Sequence, residues 1–228
     1  MGWREQLKKM PILRPDFELD AGSTALVIVD MTYMDAHPDC GAGAEFKNYP
    51  QMGSYYFGRL EELVIPNHRR LIDFFHRHGL NVIYLTVGCW MTDKSDLPFL
   101  FHRIKKHMGP PDDKMSQVLD EIKPQQGDLV IHKSSSGAFN STSLEQMLRN
   151  LNITSLAVTG VATPFCVDTT ARDAADKGFK VVIVDDACAT HTQPMHDAAL
   201  LAFSMVYGRV LSTDEVLSEL VKGLNSSR

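Results

Sequence analysis

The chain reads as a three-layer α/β domain, a six-stranded parallel sheet with helices on both faces, and two observations predict it. Its strand signals are apolar throughout rather than alternating, as in strands buried on both sides. Segments of helical period lie between them, which is the rhythm of strand–helix–strand crossovers. Residues 24–30 (TALVIVD) form the first apolar run and end in an acid. Residues 60–79 have helical spacing, with Pro66 marking the expected start and Gly79 the stop. The second strand is 81–87 (NVIYLTV), and the third, shorter one is 128–133 (DLVIHK). A helix over 143–152 has Ser143 as its N-cap and leads to the fourth strand, 155–160 (SLAVTG). Residues 164–178 read as a helix with Pro164 in the first turn and Gly178 at the end. Strand 180–187 (KVVIVDDA), helix 193–208, a short last strand at 209–213 and a closing helix over 213–224 complete the pattern.

With 228 residues, 44% hydrophobic and 22% charged, the chain suits one globular domain with a substantial core. That domain is expected to run from 1 to 228, with an N-terminal arm over about 1–20 and a long insertion over about 88–126. The insertion carries Cys89, Trp90, Met91, Pro98 and the Gly109–Pro110–Pro111 turn, and it is too long for a plain connection. Residues 31–56 are similar. Both segments follow the C-terminal ends of strands, where open α/β sheets bind ligands. A net charge of −5 argues against a nucleic-acid partner. No run approaches the roughly 20 apolar residues that cross a bilayer, and the first residues lack the apolar block of a secretory signal. Cys40, Cys89, Cys166 and Cys188 are widely spaced, as expected of reduced thiols in a cytoplasmic protein.

Three chemistry-bearing residues occupy equivalent places. Asp30, Lys133 and Cys166 each end an apolar strand or open the turn after one. The ends of parallel strands share one edge of the sheet, so the three are expected to converge. A carboxylate beside a thiol can take its proton, and an ammonium beside both favours the charged forms. The opening turn of a helix, where Cys166 sits, also favours thiolate. The turn 160–163 (GVAT) is placed to aim backbone N–H groups at a carbonyl oxygen. A lone cysteine in a helix is ordinarily a small buried hydrophobe. An acid ending a strand ordinarily caps a turn. Only the combination points to catalysis.

The Asp at the end of the first strand, the Lys after the third, and GVATPFCV before a TARDA helix resemble the isochorismatase-like cysteine hydrolases. That superfamily includes N-carbamoylsarcosine amidases, ureide hydrolases and nicotinamidases. The most specific stretch is 160–190, and the resemblance extends from Ala25 to the final helix. It implies a Rossmann-like sheet of six strands, Cys166 as nucleophile, Asp30 as general base and Lys133 as its charged partner. It also implies a cis peptide between Val161 and Ala162, and an oxyanion hole from the N–H groups of Ala162 and Cys166. Hydrolysis of a C–N bond in a small linear amide or ureide follows, through a thioester, with no cofactor, no metal, no membrane and a homo-oligomeric state (dimer or tetramer).

Three departures shape the pocket. The D-x-H metal pattern of nicotinamidases is missing from residues 86–96, Thr32 stands where many relatives have Gln, and Phe165 precedes the cysteine where many have Asp or Asn. Tyr33, Trp90, Phe139 and His191 lie on loops at the expected edge and are candidates for the substrate pocket. The alternatives are a nicotinamidase-like hydrolase of an aromatic amide, with Trp90 and Phe139 stacking its ring, and a non-catalytic member of the fold.

Overall fold

The computed structural model describes residues 2–10 and 14–226. Of the expected arm over 1–20, residues 1 and 11–13 lie outside that set. Strands β1 (Thr24–Val29), β2 (Val82–Val87), β3 (Leu129–Lys133), β4 (Ser155–Val161), β5 (Lys180–Ala189) and β6 (Arg209–Leu211) form one sheet. Their order is β3-β2-β1-β4-β5-β6, and every neighbouring pair is parallel. The chain winds outward from β1 in one direction, then returns to lay β4 on its other side. The gap beyond the ends of β1 and β4 is therefore the topological switch point, the usual place for a ligand.

Every residue of β1, β2 and β4 is buried, which explains their unbroken apolar runs. Strand pleating sends alternate side chains to opposite faces. Leu26 and Ile28 enter one core with residues of α4 (Ile65–Arg77) and α8 (Thr213–Ser226), including Leu71, Phe75, Val216 and Leu220. Ala25, Val27 and Val29 enter the other. There they meet Leu144 and Leu148 of α5 (Leu144–Asn150), Ala171 of α6 (Asp168–Asp176), and Leu200 and Phe203 of α7 (Gln193–Val206). Gly160 sits where β4 approaches β1 most closely. Its φ is +108°, and a Cβ there would fall 2.0 Å from the Val29 carbonyl oxygen, so no side chain fits.

Three local expectations change. Pro66 does not start its helix: α3 (Pro50–Arg59) passes through a π turn (Leu60–Val64) directly into α4. The wider turn relieves the ladder where proline cannot donate. The first residues of α5 are capped by Thr142, whose hydroxyl accepts from Leu144 N at 3.1 Å, not by the Ser143 side chain. Three helices gave no clear signal: α1 (Trp3–Lys8), with Trp3 and Leu7 buried, α2 (Tyr33–Ala36), a single turn, and α3. The two short ones, α1 and α2, depend on packing more than propensity.

The insertion forms short 3₁₀ turns around a small third core of Met34, Val87, Cys89, Leu97, Phe101 and Met108. It is tied to the segment after β1 by an antiparallel bridge between Thr32 and Val118 and by a 3.0 Å bond from Leu119 N to Met31 O. Among the described residues no helix is long and apolar enough to cross a membrane.

Candidate active site

The register aligns the strand ends that carry the chemistry. Val29 pairs with Leu85 and Gly160, and Val87 pairs with Lys133. Asp30, one residue past β1, has φ +50°, a left-handed conformation that aspartate tolerates better than most residues. Its N–H donates to Leu85 O at 2.9 Å. Lys133 Nζ donates to Asp30 Oδ2 at 2.8 Å and to Ser135 O at 3.1 Å. The ion pair is sealed, with side-chain exposures of 0% and 2%. Such a pair persists only where both charges are well matched, because desolvation opposes it.

Asp30 Oδ1 is buried and has no conventional hydrogen-bond partner. The Cys166 thiol is close enough to that carboxyl to help hold it charged. Burial nonetheless pushes Asp30 above the ordinary carboxylate value, against the pull of Lys133. Burial also disfavours the Lys133 ammonium, but its neighbours, Asp30 foremost, outweigh that penalty and raise its pKa. Cys166 lies in a π turn (Thr163–Val167) that leads into α6, and it is partly exposed. Burial, more than the helix end, sets the direction of the thiol's shift. Burial pushes the thiol up to about 12, with Asp30 and Asp35 adding to the rise and Lys133 opposing it. A thiol raised in this way favours its protonated form. The bond between Val161 and Ala162 is cis.

Two residues absent from the sequence reading join the group. Ser136 Oγ donates to Cys166 Sγ at 3.6 Å, from the serine-rich turn after β3. Asp35, on α2, bears on Asp30, Lys133 and Cys166. Burial, then the charge of Asp30, raise its carboxyl to about 8, with Lys133 opposing. An acid six residues beyond the end of β1 carries no motif that would single it out.

Of the four pocket candidates, His191 alone lies in an aromatic wall beside the site. Its ring centroid is 5.1 Å from Phe46, 5.8 Å from Tyr56 and 6.0 Å from Phe165. Burial lowers its pKa, so it is neutral. Tyr56 is buried near Asp35, Asp30 and Cys166. The other three candidates are engaged elsewhere. Tyr33 donates its hydroxyl to Asp120 Oδ2 at 2.8 Å and carries Lys114 over its ring, fastening the insertion. Trp90 packs edge-on to His132 at 5.1 Å, around a cavity of about 510 Å³ with Val130 and Pro111. Strand alternation puts His132 on the opposite face from Lys133. Phe139 turns into the core against Phe179.

Behind the GVAT turn lies a buried polar chain. Thr163 Oγ1 is 2.9 Å from His196 Nδ1, and His196 Nε2 is 2.8 Å from Asp185 Oδ1. Arg59 donates to the carbonyls of Asp185 and Cys188, each at 2.9 Å. Burial works against the charge of Asp185, but His196, Arg4 and Arg59 hold its pKa below the ordinary range. This chain fixes the residue next to Ala162. We expect Thr163→Val to lower kcat about 10- to 100-fold with KM little changed, since small misplacements of reacting groups are costly. Thr163→Ser should restore most of it. Steady-state kinetics of both variants check this, and equal loss in the two would remove the role of the hydroxyl.

An isochorismatase domain model matches residues 58–215. The chain is 31% identical over 163 residues to N-carbamoylsarcosine amidase of an Arthrobacter species, covering 70% of this chain and 62% of that protein. It is 26% identical over 218 residues to ureidoacrylate amidohydrolase of Acinetobacter baylyi, covering 88% and 85%. A cysteine hydrolase structure from Pseudomonas syringae pv. phaseolicola superposes with a TM-score of 0.81 at 22% identity, covering 94% of this chain and all of that one. The matched domain model, which runs from before β2 to beyond β6 and takes in Lys133 and Cys166, makes the chain a member of the isochorismatase family of hydrolases.

Proposed function

We propose that the chain is a cysteine-dependent hydrolase of a C–N bond in a small linear amide or ureide. One observation carries the reading: a buried carboxylate with one oxygen tied to Lys133 and the other unpartnered, beside a partly exposed, protonated Cys166. Cys166 Sγ bonds to the substrate carbonyl carbon as its proton passes to Asp30. The N–H groups of Ala162 and Cys166 take the developing oxyanion. The carbonyl re-forms, the C–N bond breaks, and the Asp30 carboxyl returns its proton to the leaving nitrogen. The resulting thioester is attacked by water, which Asp30 deprotonates, and the sulfur leaves with that proton. The relatives named as amidase and ureide hydrolase support this substrate class.

Ammonia release from biuret, triuret, N-carbamoyl amino acids, ureidoacrylate, maleamate and nicotinamide tests the reading. At least one should be turned over. The acid limb of kcat/KM should lie above 3.8, the ordinary aspartate value, because activity is lost when Asp30 takes a proton and burial raises that pKa. Silence across the panel would reject the reading. The wall of Phe46, Phe165 and His191 favours a second one, an aromatic amide, and dominance of nicotinamide in the panel would select it.

A further inference from the structure

We propose that Ser136 is a catalytic residue of this site, whose hydroxyl stabilises the Cys166 sulfur by a hydrogen bond each time that sulfur gains negative charge. The inference rests on the hydrolase reading for the reaction and adds a member to its machinery. The contact is direct: Ser136 Oγ donates to Cys166 Sγ at 3.6 Å. The other groups bearing on the sulfur do not do this. Asp30 and Asp35 oppose negative charge there, and Lys133, which favours it, directs Nζ to Asp30 Oδ2 and to Ser135 O. A neutral thiol accepts a hydrogen bond weakly, whereas an ionised acceptor takes a strong one. The Ser136 bond therefore strengthens as charge reaches the sulfur, and an interaction that strengthens on the way to the transition state speeds the reaction. In the first step the S–H proton passes to Asp30 as the S–C bond forms. In thioester breakdown the C–S bond breaks and its electron pair returns to sulfur. Ser136 keeps its own proton through both steps.

The turn after β3 holds the hydroxyl in place. Ser134 N donates to Ser141 Oγ at 3.2 Å, the Ser141 and Ser135 hydroxyls are 2.7 Å apart, and Ser135 Oγ donates to Gly137 O at 2.7 Å. Ser135 and Ser141 are thus engaged inside the turn, while Ser136 reaches out of it to the sulfur. The turn is also pinned to α6, where Ala138 N donates to Thr170 Oγ1 at 3.2 Å and Asn140 Nδ2 to Asp173 Oδ2 at 3.0 Å. A Cβ on Gly137 would fall 2.4 Å from that same Asp173 oxygen, so the turn lies close against the helix. The π turn that carries Cys166 runs into α6 as well. Donor and acceptor are therefore fixed to one frame, as a bond that must act at a set moment requires.

Iodoacetamide labelling reads the bond without requiring turnover. The reagent forms a C–S bond at Cys166 with loss of iodide and of the thiol proton. Its rate is followed by peptide mass mapping at about pH 8, with the partly exposed Cys40 of the same chain as internal reference. Ser136→Ala should lower the ratio of Cys166 to Cys40 labelling about tenfold, the scale of a hydrogen bond to a charged group. Ser136→Thr, which keeps the hydroxyl, should return it to within about threefold of the wild type. The sign separates this role from a structural one, because a lost prop loosens the turn and speeds labelling, whereas a lost donor slows it. Ser136 is only partly buried, so the variants should fold. Ser136→Gly reads the same loss should the alanine variant not fold. A ratio unchanged or raised without the hydroxyl overturns the proposal, and so does an equal loss in the alanine and threonine variants. On an amide of the panel that is turned over, Ser136→Ala should lower kcat about tenfold with KM little changed. An unchanged kcat overturns the catalytic role. A panel that stays silent counts against the hydrolase reading, and the labelling ratio still decides whether Ser136 serves the sulfur.

Discussion

Cys166→Ala loses turnover by a factor on the order of 10⁴ or more, the scale seen when a nucleophile is removed from a cooperating set. The loss falls on kcat, because no other described group near Asp30 can form the thioester. Stability should change little. The residue is partly exposed and the hydrogen bond from Ser136 to its sulfur is long, so little packing and no strong bond are lost. Ammonia release and urea unfolding of the same preparation check both halves. Undiminished hydrolysis would reject the thioester route. The wild-type thiol also gives a labelling signature. With its proton held up to about 12, alkylation at neutral pH should be slow.

Lys133→Met carries the second large effect. It leaves the Asp30 carboxylate buried without its ammonium, and breaking one side of a sealed pair costs about 3–5 kcal/mol. The cost should depend on pH, with a definite sign. Below the ordinary aspartate value of 3.8 the carboxyl is neutral in both folded and unfolded chains, and nothing is lost on its account. As pH rises past that value the unfolded chain ionises while the native carboxyl, already raised by burial and now lacking Lys133, stays protonated. Stability of the variant should therefore fall with rising pH until the native pKa is passed. Replacing both partners, Asp30→Gly with Lys133→Met, removes the charges and suits the left-handed backbone at position 30. That double variant should recover most of the lost stability and none of the activity. Urea titrations at pH 4, 6 and 8, chosen roughly to bracket the Asp30 transition, check the series. A single variant whose deficit is independent of pH would mean that packing, not charge, accounts for the loss.

Much of this was legible because strand ends are legible. Unbroken apolar runs mark buried parallel strands, and parallel strands finish on one edge, so Asp30 and Lys133 could be brought together across 103 positions. Side-chain direction was not legible. Tyr33, Trp90 and Phe139 lie on loops at or near the correct edge, yet each turns toward another partner: Asp120, His132 and Phe179. A loop residue's rotamer follows from packing that no local pattern encodes. Asp35 and Ser136 escaped notice for a related reason, since their roles come from proximity in space. The burial that raises the Cys166 thiol has no local signature in the sequence. Pro66 misled because a π turn lets a helix continue where a plain α-helical ladder would break.

Dissolved ions gather only around charges that water can reach. Lys133 and Asp30 are closed off from that atmosphere, so their attraction is screened far less by salt. Glu45, by contrast, joins Lys106 and His107 of the insertion through pairs that stand largely in water. Salinity therefore acts on the rim of this molecule more than on its central ion pair.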